Sequence, residues 1–297
     1  MKRVPIFRGT GTALVTPFTA SGDVDLKALA ALVRFQAAGG VEAILPVGTT
    51  GEGVTLTEAE QALVIATVRE RAPRKIRVIA GAGSNSTASA VKLARAAVRA
   101  GADGILCVGP YYNKPTQEGY YRHFAEIAHK TDIPIVVYNV PGRTAGNISA
   151  ATTLRLARDI PAVNGIKEAS GDLAQVMEIL KHRPEGFGVW SGDDALTFPM
   201  MPLGADGVVS VVSNEVPREF STMVRYCLKG NYRAALKIHN RLLPLMTGNF
   251  LESNPIPVKA ALAMMGKIGE RYRLPLVPMG KENRKQLRRI LKALELA

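Results

Sequence analysis

The sequence predicts an α/β protein, a (β/α)8 TIM barrel with a small C-terminal helical appendage, and three observations predict it. Eight short apolar runs recur between Ala13 and Ser213. Each is followed by a stretch able to hold an amphipathic helix, at an average interval of roughly 30 residues, the size of a βα unit. From Asn231 onward the strand-like runs stop and helical patterns remain. The expected division is a catalytic barrel over 1–225 and a helical domain over 226–297.

In order, the runs and the helices that follow them are ALVTPF from Ala13 with 25–38, AILPV from Ala43 with 58–71, RVIAGAG from Arg77 with 87–100, and GILCVGP from Gly104 with 117–130. Then come IVVYNVP from Ile135 with 150–158, NGIKEAS from Asn164 with 173–182, GVWSGDD from Gly188 with 194–203, and GVVSVVS from Gly207 with 217–229. Most runs are continuously apolar, as in parallel strands covered on both faces. The first helix is expected to turn Leu26, Leu29, Leu32 and Val33 to one side. Helices over 232–246, 257–265 and 281–294 make the appendage. A doubly wound sheet is the competitor, but the only phosphate-loop candidate, GAGSNS from Gly81, lacks the third glycine of a dinucleotide fingerprint.

With 297 residues, 47% of them hydrophobic, and a mean hydropathy of +0.07, the composition excludes disorder, collagen and small disulfide scaffolds. Two cysteines, Cys107 and Cys227, cannot staple such a chain and suit a reducing compartment. No Cys/His cluster has metal-ligand spacing, and no metal is expected. The start MKRVPIFRGTG lacks an apolar signal-peptide core, no run is long enough to cross a bilayer, and a cytoplasmic location is expected. The net charge is +13, but 226–297 hold 14 Lys/Arg against 4 Asp/Glu, leaving 24 against 21 in the rest. In the densest run, Lys281, Arg284, Lys285, Arg288, Arg289 and Lys292 alternate with Leu287, Ile290, Leu291 and Leu294 at helical spacing, the pattern of a solvated face over a packed one. No aromatic residues interleave with these charges, so no nucleic-acid partner is expected.

Barrel enzymes carry their chemistry at the C-terminal ends of the strands. Lys167 ends a short apolar strand, where desolvation lowers a lysine pKa and frees an amine to attack a carbonyl; pairing with Glu168 or another carboxylate is the alternative. Tyr138 ends the neighbouring strand, from which its phenol can pass protons to and from a carbinolamine; a core tyrosine is its bland reading. Thr49 and Thr50 lie in a glycine-rich turn whose N–H and hydroxyl groups can converge on a small carboxylate, or which is a turn and no more. Arg143 stands where a guanidinium can clamp a second carboxylate, or is a surface arginine. Asp193 and Asp194 are expected to cap the following helix rather than to act as paired carboxylates. No chemistry is assigned to His123, His129, His182 or His239.

The motifs GTTGE at 48–52, PYYNKP at 110–115, YNVPGRT at 138–144, GIKEASG at 165–171, SGDD at 191–194 and NPIPVK at 254–259, in this order, resemble the dihydrodipicolinate synthase family, within the N-acetylneuraminate lyase superfamily of class I aldolases. The resemblance covers nearly the whole chain. It implies condensation of pyruvate with L-aspartate 4-semialdehyde to 4-hydroxy-tetrahydrodipicolinate, in the diaminopimelate route to lysine, with no cofactor. It further implies that Lys167 forms the Schiff base and that Tyr138, Thr49 and Tyr112 form a proton relay, Tyr112 being donated across a dimer interface; spacing alone does not separate Tyr112 from Tyr111. Thr50 would hold the pyruvate carboxylate, Arg143 that of the semialdehyde, and the backbone at Gly192 and Val209 the pocket wall. A homo-oligomer, a dimer of dimers, is implied.

Lysine-inhibited relatives carry a polar cluster at the dimer interface, and the matching positions here are Gly53, Val54, Glu58, Gln61, Asn85, Ser89 and Tyr111. Asn85 and Tyr111 fit that pattern. Ser89 stands where an ammonium-binding glutamate is expected, and Glu58 and Gln61 replace histidines, so weak or absent lysine inhibition is expected. Two further readings compete. One is another pyruvate-dependent aldolase, acting on sialic acid, a 2-keto-3-deoxy sugar acid or hydroxyoxoglutarate; Arg143 in NVPGRT resembles the synthases more. The other is a catalytically retired barrel that binds anions or nucleic acid through its basic C-terminal region, against which Lys167, Tyr138 and Thr49 together argue.

Overall fold

The first strand is built from GTGTA rather than from the apolar run that follows it. In the computed structural model, which describes residues 3–297, β1 spans Gly9–Ala13, and Leu14 and Val15 are buried beyond its end. Thr12 faces the helices and donates to Gln36 Oε1 at 2.8 Å. Gly11 faces inward, where a Cβ would meet Leu45 at 2.7 Å and Phe7 at 2.9 Å, so an apolar side chain there is excluded by the barrel's own filling. This is why strand one carries no hydrophobic signal.

The remaining strands are β2 (Ala43–Leu45), β3 (Arg77–Gly81), β4 (Gly104–Val108), β5 (Ile135–Asn139), β6 (Val163–Glu168), β7 (Gly188–Ser191) and β8 (Gly207–Ser210). All pair in parallel, and β8 returns to β1, closing the barrel. The interior is filled by side chains that include Phe7, Leu45, Ile79, Leu106, Val136 and Trp190. Phe7 and Trp190 stack with ring centroids 4.8 Å apart. A larger core lies between the strands and their helices.

The barrel helices are α1 (Leu26–Gly39), α2 (Glu58–Arg71), α3 (Thr87–Arg99), α4 (Gln117–Lys130), the one-turn α5 (Pro141–Thr144), α6 (Ala150–Asp159), α7 (Leu173–His182), α8 (Asp194–Met200) and α9 (Pro217–Leu228). Side-chain caps fix most of their starts: Asp25, Thr57, Ser86, Thr116, Ser149, Asp172 and Asp193 each accept from a first-turn N–H. Leu29, Leu32 and Val33 of α1 are buried as expected, whereas Leu26, in the first turn, is 39% exposed. The helix expected over 194–203 ends at Met200, just past Pro199. The helical turn α5 has no counterpart in the sequence reading, because four residues leave no periodicity to detect.

Beyond the barrel, α10 (Tyr232–Gly248) packs on α8 and α9, and α11 (Ile256–Met264) and α12 (Lys281–Ala293) pack against each other. Leu287 and Leu291 of α12 are fully buried, with the basic residues on its outer side. No helix among the described residues is long and apolar enough to cross a membrane.

Candidate active site

Strand register sets the reactive side chains side by side. Tyr138 on β5 pairs with Lys167 on β6, which in turn pairs with Trp190 on β7. The Lys167 ammonium nitrogen lies 4.0 Å from the centroid of the Tyr138 ring. Both are buried, at 6% and 7% exposure. Burial draws the Lys167 pKa down to about 7, with Asp194 pulling it up and Arg143 pulling it further down. Burial likewise pushes the Tyr138 phenol up to about 12, so it is protonated and able to donate.

Lys167 does not pair with Glu168. The next residue of a strand faces the opposite way, and the Glu168 carboxylate accepts instead from Asn139 Nδ2 (3.1 and 3.2 Å), Gln175 Nε2 (2.9 Å) and the Ser170 N–H (2.7 Å). Asp193 caps α8 through the N–H groups of Ala195 and Leu196, as expected. Asp194 does not cap: it is buried and accepts from Val211 and Val212 beyond β8.

A cavity of about 140 Å³ opens on Lys167, lined also by Thr49, Thr50, Tyr138, Arg143, Gly192, Asp193, Phe250 and Asn254. A Cβ at Gly192 would sit 3.0 Å from Lys167 Cε and 2.6 Å from Ala169 Cβ, so glycine keeps the lysine's path clear. Val209 belongs to the inner core that also holds Tyr138, while Val211, just past the end of β8, lines the cavity. A second space of about 390 Å³ shares Gly48, Thr49, Leu106, Tyr138, Val140 and Arg143 with the first and runs outward past Gly53, Val54, Gln61 and Tyr111.

Tyr112 stands apart from its own chain's site: it is 89% exposed, holds a left-handed φ of 73°, and lines neither space. The positions of the supposed regulatory cluster are divided. Gln61 and Tyr111 line the larger space, whereas Glu58 forms an ion pair with Lys92 at 2.7 Å, the Asn85 carbonyl accepts from Asn113 Nδ2 at 2.8 Å, and Ser89 lies in the first turn of α3.

Sequence reasoning missed the C-terminal contribution. Asn254 donates from Nδ2 to Thr50 Oγ1 at 3.0 Å, and its carbonyl accepts from Arg143 Nη2 at 3.3 Å, joining the two expected carboxylate receptors. Lys259 and Glu52, both fully buried, form an ion pair that fastens α11 to the end of the GTTGE turn. The available signal was Lys259 itself, a charge inside the otherwise apolar helix IPVKAALAM.

The family model for the dihydrodipicolinate synthetase family matches residues 6–294. A 4-hydroxy-tetrahydrodipicolinate synthase of Koribacter versatilis (strain Ellin345) is 54% identical over 285 residues, covering 95% of this chain and 94% of its own. The solved dihydrodipicolinate synthase of Thermotoga maritima superposes with a TM-score of 0.96 at 46% identity, covering 98% of this chain and 100% of its own. The chloride-inhibited dihydrodipicolinate synthase of Acinetobacter baumannii, complexed with pyruvate, superposes with a TM-score of 0.96 at 42% identity and the same coverage.

Proposed function

The chain belongs to the dihydrodipicolinate synthetase family, and from that premise we infer the chemistry of its barrel mouth. It is a class I, Schiff-base lyase that condenses pyruvate with L-aspartate 4-semialdehyde to 4-hydroxy-tetrahydrodipicolinate, in the diaminopimelate route to lysine. The observation that carries this reading is Lys167: a buried amine drawn down to about 7, beside a protonated phenol, at the floor of a small cavity.

The Lys167 amine attacks C2 of pyruvate, and the carbonyl oxygen leaves as water once protonated, giving the imine. Loss of a C3 proton yields an enamine, whose C3 forms the new bond to the aldehyde carbon. The semialdehyde's amino group then displaces Lys167 at C2, closing the ring and freeing the amine. Tyr138 is the group placed to carry protons at C2, with Thr49 and a Tyr112 from a second copy completing the relay. Thr50, oriented by Asn254, receives the pyruvate carboxylate; Arg143 receives that of the semialdehyde. Gly192 supplies backbone to the wall, and Val209 belongs to the inner core that also holds Tyr138. The active unit is therefore at least a dimer, with Tyr112 crossing between copies, and the assembly is a dimer of dimers. Two free, buried cysteines and metabolite substrates fit a cytoplasmic enzyme.

Borohydride reduction in the presence of pyruvate, followed by intact mass and peptide mapping, tests this reading. A pyruvate adduct on Lys167, lost in Lys167→Ala, is the expected result, with turnover on aspartate semialdehyde and none on sialic or 2-keto-3-deoxy sugar acids. Folded protein that gives no adduct overturns it.

A further inference from the structure

β5 and β6 each end one residue beyond a reactive side chain. Tyr138 pairs with Lys167 in the parallel ladder, and the next pair, Asn139 with Glu168, closes it. Successive strand residues face opposite ways, so Tyr138 and Lys167 point into the barrel while Asn139 and Glu168 point out toward the helices. Both outward side chains are buried, at 1% and 2% exposure, and neither lines the two spaces at the barrel mouth.

The two side chains are bonded to each other. Asn139 Nδ2 donates to both Glu168 oxygens, at 3.1 and 3.2 Å, and to Asn147 Oδ1 at 2.7 Å. The Glu168 oxygens accept further from the Ser170 N–H at 2.7 Å and from Gln175 Nε2 of α7 at 2.9 Å. Asn139 Oδ1 accepts from the Ile148 N–H at 3.0 Å, nine residues on. The segment that carries Arg143 therefore leaves β5 at Asn139 and returns to the Asn139 side chain. The main chain adds two ties: the Asn139 carbonyl accepts from the Ala169 N–H at 2.9 Å, and the Glu168 carbonyl from the cavity-wall Gly192 N–H at 2.7 Å.

A strand end is where a backbone ladder runs out and local opening begins. Here the last ladder position is the immediate neighbour of the reactive pair, so a slip or twist at 139 or 168 carries Tyr138 or Lys167 with it. Imine formation needs amine, phenol and carbonyl in reach of one another together, and a misplacement of about 1 Å in such an arrangement costs up to about a hundredfold in rate. A side-chain bond across the two strand ends, made on the face turned away from substrate, holds that spacing without occupying the cavity.

We propose that Asn139 and Glu168 are positioning residues: acting from the outer face of the barrel wall, they set the Lys167 amine against the Tyr138 phenol, and Asn139 also closes the segment that carries Arg143. Neither touches substrate. The proposal rests on the Schiff-base reading of Lys167 and deepens it.

The test is the rate at which pyruvate becomes trappable on Lys167, followed by quenched-flow borohydride reduction and intact mass, well below each variant's thermal midpoint. Glu168→Gln turns one acceptor into a donor facing donors, and is expected to lower the saturating trapping rate about tenfold or more. The pyruvate concentration giving half that rate should stay within about twofold, because Thr50 is outside the network. Adding Gln175→Glu puts an acceptor opposite the new amide and keeps one for Asn147 Nδ2, which already donates to position 175 at 2.8 Å; this double variant is expected to recover most of the rate. Asn139→Ala releases both Glu168 and Ile148, and is expected to slow trapping and to raise the KM for aspartate semialdehyde as well.

No adduct in wild type sinks the Schiff-base reading itself. Folded Glu168→Gln that is less stable yet traps at the wild-type rate, or a double variant as slow as the single one, overturns the positioning role alone. An unchanged semialdehyde KM in Asn139→Ala overturns the hold on Arg143. Should Glu168→Gln fail to fold, Gln175→Met, which withdraws one donor from Glu168, takes its place: a slowed rate is expected, and a wild-type rate overturns the proposal.

Discussion

A lysine of ordinary acidity offers its free amine in roughly three molecules per ten thousand at neutral pH; Lys167, drawn down to about 7, offers it in about half. The group is active when deprotonated, so the second-order rate of pyruvate adduct formation rises as pH increases through 7 and then levels. Stopped-flow measurement of that rate checks the sign, and a rise delayed until about pH 10 would return Lys167 to an ordinary ammonium. A second residue-scale expectation concerns lysine as inhibitor. Ser89 brings no carboxylate to a ligand ammonium, and Glu58 is paired with Lys92, so calorimetric titration is expected to give half-saturation above about 1 mM, a binding free energy weaker than about 4 kcal/mol. Lys167 was legible in the sequence because a lysine at the end of an apolar strand is anomalous by itself. Asp194 was not, because its bonds to the Val211 and Val212 amides follow from packing rather than from residue order.

Among the elements, α11 has the most direct hold on the site from outside the barrel. Its Lys259 lies against the Phe18 ring at 4.3 Å and pairs with Glu52, whose other oxygen accepts from the Arg273 N–H at 3.3 Å. Lys259→Met leaves the Glu52 carboxylate buried without its cation, which is expected to cost about 3–5 kcal/mol. Thermal unfolding should show a Tm lower by about 10 °C, and steady-state kinetics a raised KM for pyruvate as the Thr49-Thr50 turn loosens. Adding Glu52→Gln should restore part of the stability, because the stranded charge is then gone. The apolar strands and capped helices were readable because burial on both faces and first-turn hydrogen bonds write themselves into composition and spacing. β1 was not, since the barrel interior demands glycine at Gly11, and neither was the tie between NPIPVK and GTTGE, which lie more than two hundred residues apart in the chain.

For the whole molecule, Tyr112 is exposed and lines neither space of its own chain, so the proposed relay calls for a second copy. If each site takes its lysine from one copy and Tyr112 from another, Lys167→Ala and Tyr112→Phe chains are each nearly inactive alone. Unfolded, mixed in equal amounts and refolded together, they should recover roughly a quarter of wild-type activity, since about half of the dimers are mixed and one of their two sites is intact. Activity assays on the mixture check this, and no recovery would overturn the donation of Tyr112 between copies. The stacked pair at the barrel floor has a separate consequence. Trp190 is the chain's sole tryptophan, fully buried, and the register partner of Lys167 on the adjacent strand. Its indole, with Nε1 bonded to nothing and one face against Phe7, is a single fluorophore shielded from solvent quenchers. The unlabelled protein thus carries one intrinsic optical reporter of packing inside its barrel, readable without dye, coupling enzyme or turnover.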